Sequence, residues 1–221
     1  MILFTDSILK QSSEPIRTLG RAVVLKAILN IGCGKTRIPE SIGVDRTRIE
    51  GYVDIVHDLD KVPYPFDAES IDEIHFYHVL EHLHEPVRKL EELHRILKTN
   101  GMLHIRVPHF SSMGAFTDLT HLRPFGYTSF DCLEQDHGQH YYTCANFKIV
   151  KKEIKYFGFY PNTGVYEKYV HANSCVWFAK PVVRTVNWLI RLSPTFFERI
   201  WCYWVGGAME VVLDLQKVPR A

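Results

Sequence analysis

The sequence predicts an α/β chain built on a mostly parallel sheet, and two observations carry that expectation. Residues 27–34 read Ala-Ile-Leu-Asn-Ile-Gly-Cys-Gly, an apolar run that stops on two glycines spaced one apart. The runs that follow then come in the order strand, loop, strand, helix, strand, which means parallel strands joined by crossovers. In such a sheet the ligand crevice lies beyond the carboxyl ends of the strands.

Taken in order, residues 27–31 and 41–45 are short continuous apolar runs of the kind buried strands present, and 52–59 shows partial alternation. A fourth strand is expected over 71–79. Glu85-Pro86 opens a helix with proline where helices tolerate it, Val87, Leu90, Leu93 and Leu97 recur at helical spacing, and Asn100-Gly101 closes it. Met102 to Val107 follows as a fifth strand, stopped by Pro108. Only Lys35 to Glu40 separate the glycine turn from the second strand, so a loop or single turn stands where a helix would usually follow. After Pro108 periodicity fades over residues 109–145, read as an acceptor-side loop or lid. Phe147–Phe157 resumes as a strand, His171–Ala179 is expected to pair beside it, residues 181–204 read as a helical cap with Ser193-Pro194 opening a second helix, and Ala208–Val218 ends the chain as a strand.

Composition bounds the partners. A chain of 221 residues, 46% hydrophobic and 23% charged, can bury one sizeable core, so a single domain over 1–221 is expected. With 26 basic against 25 acidic residues the net charge is +1, and no global field exists to hold a polyanion, which argues against nucleic acid. Cys33, Cys132, Cys144, Cys175 and Cys202 are odd in number and never in a Cys-x-x-Cys pair, arguing against a disulfide framework or zinc knuckle and for a reducing cytoplasm. No basic-flanked export signal and no run near the roughly 18 apolar residues of a membrane span is present.

The glycines and the acidic residue ending the second run give a chemical expectation. Gly32 lets the chain turn sharply off its strand, Gly34 lets a ligand approach the backbone, and Asp45 would accept hydrogen bonds from a ribose diol.

Laid end to end, Leu29-Asn-Ile-Gly-Cys-Gly34, Ile42-Gly-Val-Asp45, His57-Asp-Leu-Asp60, Pro65-Phe-Asp67, Ile71-Asp-Glu-Ile74, His78-Val-Leu-Glu-His-Leu83 and Leu97-Lys-Thr-Asn-Gly-Met-Leu-His-Ile-Arg-Val-Pro108 resemble class I S-adenosylmethionine-dependent methyltransferases of the type 11-like kind. The resemblance covers residues 27–108 as the cofactor-binding core. It implies a Rossmann-like seven-stranded sheet, mostly parallel with an antiparallel last strand and helices on both faces. It also implies S-adenosyl-L-methionine as cofactor, with Asn30, Ile31, Gly32, Cys33 and Gly34 lining its methionine part. Asp45 would then bind the ribose, Asp58 and Leu59 would meet the adenine, and Tyr77 and His78 would close the pocket. Two departures stand out: the family often has an acidic residue where Asn30 lies and a third glycine where Thr36 lies. Asparagine can hydrogen-bond but cannot neutralise the cofactor's ammonium.

Beyond residue 108, Asp118 to Phe130 resembles an acceptor-side segment of bacterial methyltransferases, some associated with polysaccharide or glycolipid synthesis. Methyl transfer needs a base only if the acceptor must lose a proton, and His109 and His121 are the candidates, with Asp118 to orient a histidine and Arg123 to hold an acidic acceptor group. The expected activity is methyl transfer to a small-molecule or saccharide- or glycolipid-linked acceptor. Three rivals remain. A noncatalytic cofactor-binding or scaffold protein is permitted by Asn30. A zinc hydrolase is suggested by His78-Val-Leu-Glu81-His82, which matches His-x-x-Glu-His. A nicotinamide dehydrogenase would want the phosphate-cradling helix that 35–40 is too short to give. No metal ligand set is otherwise expected. Residues 181–204, with Arg184, Arg191 and Arg199 among apolar side chains, read either as core, cap or homodimer contact or as a peripheral membrane surface.

Overall fold

The computed structural model describes residues 26–155, 176–204 and 207–219. Seven strands, β1 (Ile28–Ile31), β2 (Ser41–Asp45), β3 (Ile55–Val56), β4 (Ile71–Tyr77), β5 (Leu97–Pro108), β6 (Phe147–Lys155) and β7 (Glu210–Lys217), form one sheet in the order β3-β2-β1-β4-β5-β7-β6. β1 pairs in parallel with β2 and β4, and β4 with β5, while β7 runs antiparallel to both β5 and β6. The expected α/β architecture with an antiparallel last strand is what forms.

Apolar burial explains the central strands. Leu29, Ile31, Val44, Ile74, Phe76, Leu103, Ile105 and Val107 enter one core cluster, into which helix α1 (Pro86–Ile96) sends Leu90, Leu93 and Ile96. Pro86 occupies the first turn, where no amide donor is missed. Loop 109–145 joins the same core through Phe125, Phe130, Leu133 and Ala145, the two phenylalanine rings stacking at 5.4 Å. A long segment without periodicity is thus held by four buried anchors.

Four boundaries differ from the expected ones. The third strand shrinks to Ile55–Val56, because it lies at the sheet edge and has one neighbour. The fourth stops at Tyr77, since His78 takes a positive φ of 56° that ends the extended backbone. α1 ends at Ile96 rather than at Asn100-Gly101: Leu97 already pairs with Ile71, and Asn100, φ 67°, makes an irregularity inside β5. Of the strand expected over His171–Ala179, residues 171–175 lie outside the described residues, and Val176 begins helix α2 (Val176–Leu192) instead. Ser193 caps the following turn by accepting from the Phe196 N–H, with Pro194 at its first position. Among the described residues no helix is long and apolar enough to cross a membrane.

The sheet also carries an unusual polar strip on alternate positions of β4 and β5. The rings of His75 and His104 stack at 5.0 Å, His75 Nε2 lies 3.1 Å from a Glu73 carboxylate oxygen, and its Nδ1 lies 2.9 Å from the Tyr77 hydroxyl. The Arg106 guanidinium covers the Tyr77 ring at 4.2 Å. A neutral His75 satisfies both contacts, donating from Nε2 to Glu73 and accepting at Nδ1 from Tyr77. Burial, reinforced by the neighbouring His104, pulls its pKa down to about 4 from 6.5. The unfolded chain therefore takes up a proton near pH 6.5 that the folded chain refuses, and stability present above that pH is lost as pH falls toward 4. We expect this residue alone to cost about 3 kcal/mol across that window. In urea titrations the stability difference between the wild type and His75→Gln should change by that amount from pH 6.5 to pH 4. A difference independent of pH would contradict the assignment.

Candidate functional site

The site begins at the tip of β1. Gly32 has φ 70°, and a Cβ there would lie 2.1 Å from Val79 Cγ2, so both backbone and space demand glycine. The turn is latched to the neighbouring strand by the Gly32 and Cys33 amides, which donate to the Val44 carbonyl at 2.7 and 3.2 Å. Gly34, φ 48°, faces open space and donates its N–H to Asp45 Oδ2 at 2.9 Å. Asp45 Oδ1 accepts from the Thr47 amide at 3.2 Å. Each carboxylate oxygen keeps a further lone pair for a ligand hydroxyl.

Beyond these strand tips lies a cavity of about 460 Å³, within the size range of small-molecule sites. Gly32 and Val79 form its floor. Asp45, Arg46, Asp58, Leu59 and Asp60 line it from β2 and the segment after β3, and His78, His82, Leu83, His84, Thr120 and Leu122 line it from the segment after β4 and from loop 109–145, the two sets meeting where His84 bonds Asp60. The structure thus brings Gly32, Asp45, Asp58, Leu59 and His78 of the expected residues onto one cavity. Asp58 is held as a turn residue, accepting from the Asp60 amide at 3.2 Å and lying 3.4 Å from Lys61 Nζ.

The other expected residues serve this surface from behind. Asn30 and Ile31 are buried in β1, and the Asn30 amide donates to the Thr36 carbonyl at 2.9 Å, fixing the short loop that replaces the usual helix. Cys33 is buried, its thiol pushed up to about 11 by burial and then by the Asp45 charge. Tyr77 belongs to the polar strip with His75 and Arg106 rather than to the cavity lining.

His78 joins three elements. Its Nε2 bonds Glu210 Oε1 at 3.0 Å at the start of β7, and its Nδ1 lies 3.4 Å from Glu81 Oε1 on the single turn Leu80–His82. Burial opposes the charge, but the two carboxylates outweigh it and raise the imidazole pKa to about 9. The ring is therefore a cation at neutral pH, pinning the turn to the sheet. This geometry leaves the His-x-x-Glu-His reading without its helix: His78 sits at a positive φ off a strand, and it is spent on Glu210 and Glu81.

Loop 109–145 returns to the same turn through the Leu122 amide, which donates to the Glu81 carbonyl at 2.8 Å. That contact brings His121 beside His82, ring centroids 4.6 Å apart. Thr120 Oγ1 lies 2.8 Å from His82 Nδ1 and 2.7 Å from Asp118 Oδ1. His121 Nε2 lies 3.9 Å from Asp118 Oδ2 and 4.0 Å from Glu81 Oε1. Asp118 and His121 are brought together as expected, and Glu81, His82 and Thr120 join them. In the sequence Glu81 and His82 stand only within the His-x-x-Glu-His pattern, and nothing local marks their meeting with Thr120 and His121.

His109 and Arg123 lie elsewhere. His109 is fully buried, its Nδ1 2.6 Å from Ser111 Oγ in its own loop and its Nε2 3.0 Å from Glu198 Oε1, so both ring nitrogens are engaged, Nε2 tying the end of β5 to the C-terminal helical turns, and none is offered to the cavity. Arg123 donates to the Leu83 carbonyl at 2.9 Å and so ties the loop to the turn.

With this geometry in place, the comparisons are specific about the domain. Residues 29–105 match the family model described as a methyltransferase domain. No curated protein matches the chain. Among solved structures, an S-adenosylmethionine-dependent methyltransferase from Archaeoglobus fulgidus is similar with a TM-score of 0.52 at 19% identity, covering 87% of this chain and 86% of that one. A proposed methyltransferase from Bacillus halodurans C-125 is similar with a TM-score of 0.52 at 13% identity, covering 88% and 93%. At these identities the likeness is one of fold.

The tightest constraint here is Gly32. Gly32→Ala is expected to cost about 2–4 kcal/mol, the sum of left-handed strain and overpacking against Val79. Chemical denaturation measures it, and a loss below 1 kcal/mol, roughly one ordinary exposed substitution, would contradict the packing at this turn.

Proposed function

We propose that this chain, a class I S-adenosylmethionine-dependent methyltransferase by the domain it carries over residues 29–105, methylates a saccharide-linked or small-molecule acceptor at the mouth of the Gly32–Asp45–Asp58 cavity. The observation that carries this reading is the shared cavity itself: one wall offers carboxylates for an adenosine, and the other offers histidines and a threonine for an acceptor. The residues fit the cofactor at its adenosine end. The missing side chain at Gly32 leaves the backbone bare, Asp45 retains lone pairs for a diol, and Asp58 with buried Leu59 flanks the space for a base. At the methionine end Asn30 supplies no charge and its amide is already tied to Thr36, so this half of the ligand is held more weakly.

When bound, S-adenosylmethionine supplies an electrophilic methyl carbon on a sulfonium. The chain's own part is to position the acceptor, exclude water and take up the positive charge that an acceptor sheds as a proton. The cluster of Glu81, His82, Asp118 and His121 is suited to that last task, since it gathers electron pairs at the acceptor side. A lipid-linked saccharide is the acceptor form that the surface favours. Met113, Phe116 and Leu119 are exposed on the loop beside the cavity. Trp188, Leu192, Phe196, Tyr203 and Trp204 are exposed on the helical segments, of which Tyr203 approaches Phe110 of the loop with ring centroids 6.1 Å apart. With Arg184, Arg191 and Arg199 nearby in sequence, this strip suits an anionic lipid surface.

Two measurements test the reading. Asp45→Ala should weaken S-adenosylmethionine binding in calorimetry by about 1–3 kcal/mol, the loss on removing hydrogen bonds to a buried partner; wild-type affinity would break the ribose placement. Replacing Trp188 and Trp204 with glutamate should lower partitioning onto anionic phosphatidylglycerol vesicles severalfold. Unchanged partitioning would remove the lipid from the proposal and leave a soluble acceptor.

A further inference from the structure

Glu81, outside the lining of the cavity, has its carboxylate buried at 1% side-chain exposure with neither oxygen hydrogen-bonded. A charged group so placed needs a cation, and the His78 contact at 3.4 Å engages only Oε1. Two imidazoles stand beside it: Glu81, His82 and His121 each present a ligand atom, all within 4.8 Å of one another.

The hydrogen bonds fix which ring atoms face inward. The Thr120 hydroxyl has a single proton, and at 2.7 Å from Asp118 Oδ1 it must give that proton to the carboxylate, which can only accept. His82 Nδ1, 2.8 Å from the same hydroxyl, is therefore the donor in that pair, and the lone pair of His82 resides on Nε2. His121 is fixed in the same sense, because its Nδ1 lies 3.3 Å from the Ala115 carbonyl, an acceptor only, leaving its lone pair on Nε2. Two imidazole lone pairs thus meet a carboxylate that shares its neighbouring cation, His78, with Glu210. The Nδ1–H to carbonyl or hydroxyl arrangement is the outer support that metal-bound histidines carry.

We propose that Glu81, His82 and His121 bind one divalent transition-metal ion of the zinc class at the acceptor side of the cavity. The donor set decides the class: two nitrogens and one carboxylate suit zinc and its neighbours, whereas magnesium and calcium want oxygen alone. Tetrahedral zinc places its ligand atoms roughly 3.4 Å apart, so the present spread closes by side-chain rotations of about 1 Å. Three protein ligands leave a fourth position for an outside ligand, the pattern of catalytic rather than structural zinc, and of the three His82 lines the cavity. The role is that of a Lewis acid, which takes the place of the free histidines as base: a hydroxyl held there loses its proton to solvent more readily and becomes the better nucleophile. That role rests on the methyl-transfer reading, whereas the binding site itself does not.

The test is metal binding by the full chain after chelator treatment and dialysis, followed by calorimetric titration with zinc chloride and by absorption on adding cobalt chloride. We expect one equivalent of zinc bound in the micromolar range or tighter. The cobalt spectrum should show visible bands and no thiolate charge-transfer absorption, which excludes the cysteines. His82→Ala, His121→Ala and Glu81→Gln should each weaken zinc at least tenfold, with circular dichroism to check folding. Thr120→Val, which leaves the ligands and removes only the support of His82, should weaken it by about tenfold as well. Absence of stoichiometric zinc, or affinity unchanged in both histidine variants, overturns the proposal. A parallel titration with S-adenosylhomocysteine separates the two readings: its binding without zinc defeats the metal site alone, and zinc binding without it sustains the site while defeating the methyltransferase placement.

Discussion

The whole arrangement depends on how closely the tip of β1 packs against Val79. With a Cβ at Gly32 2.1 Å from that side chain, any other residue where the strand turns must push Val79 aside in a strained backbone, and the glycine turn lies on the cavity lining. The same turn donates to Val44, so the tip of β2 and its Asp45 are carried to the cavity edge by the latch that shapes the glycine turn. Close packing and ligand geometry are here one constraint.

Charge is distributed about that floor with a division of labour. Carboxylates on β2 and after β3 stay at the wet edge, where they can accept from hydroxyl and amino groups. Behind the opposite wall, Glu81 and Glu210 are buried with His78 between them, raised to about 9 and so kept cationic. The ring fastens β4, β7 and the Leu80–His82 turn together, and that turn in turn presents His82 to the loop. Removing the ring leaves two buried carboxylates uncompensated, which is costly in a low-dielectric setting. The acceptor side is therefore tied to the sheet through one three-residue ion cluster.

Much of this was legible in the chain. Ile28–Ile31 and Ser41–Asp45 are short strands buried in the sheet and read as apolar runs, Ile71–Tyr77 was recognisable from Ile71, Ile74 and Phe76 despite its polar positions, and Glu85-Pro86 announced α1. Gly32, Asp45 and Asp58 could be placed at strand ends from the sequence because the runs before them read as strands, and the structure brings the three onto one cavity. The end of α1 was not, since Asn100-Gly101 signals a turn without saying whether it closes a helix or bends a strand. Contacts far apart in sequence left no local trace. His109 reads as a loop histidine until Glu198, 89 positions later, takes its ring, and His82 meets His121 only because Leu122 bonds back to Glu81. Pairings of that kind are made by topology, and no periodicity records them.

The most direct test is a crystal structure of the chain with S-adenosylhomocysteine. The account requires the ribose hydroxyls on Asp45, the base between Asp58 and Leu59, and the thioether sulfur over Gly32 and turned toward His82 and Thr120. A ligand seated away from the β1 and β2 tips, or one whose sulfur points from that wall, would contradict it.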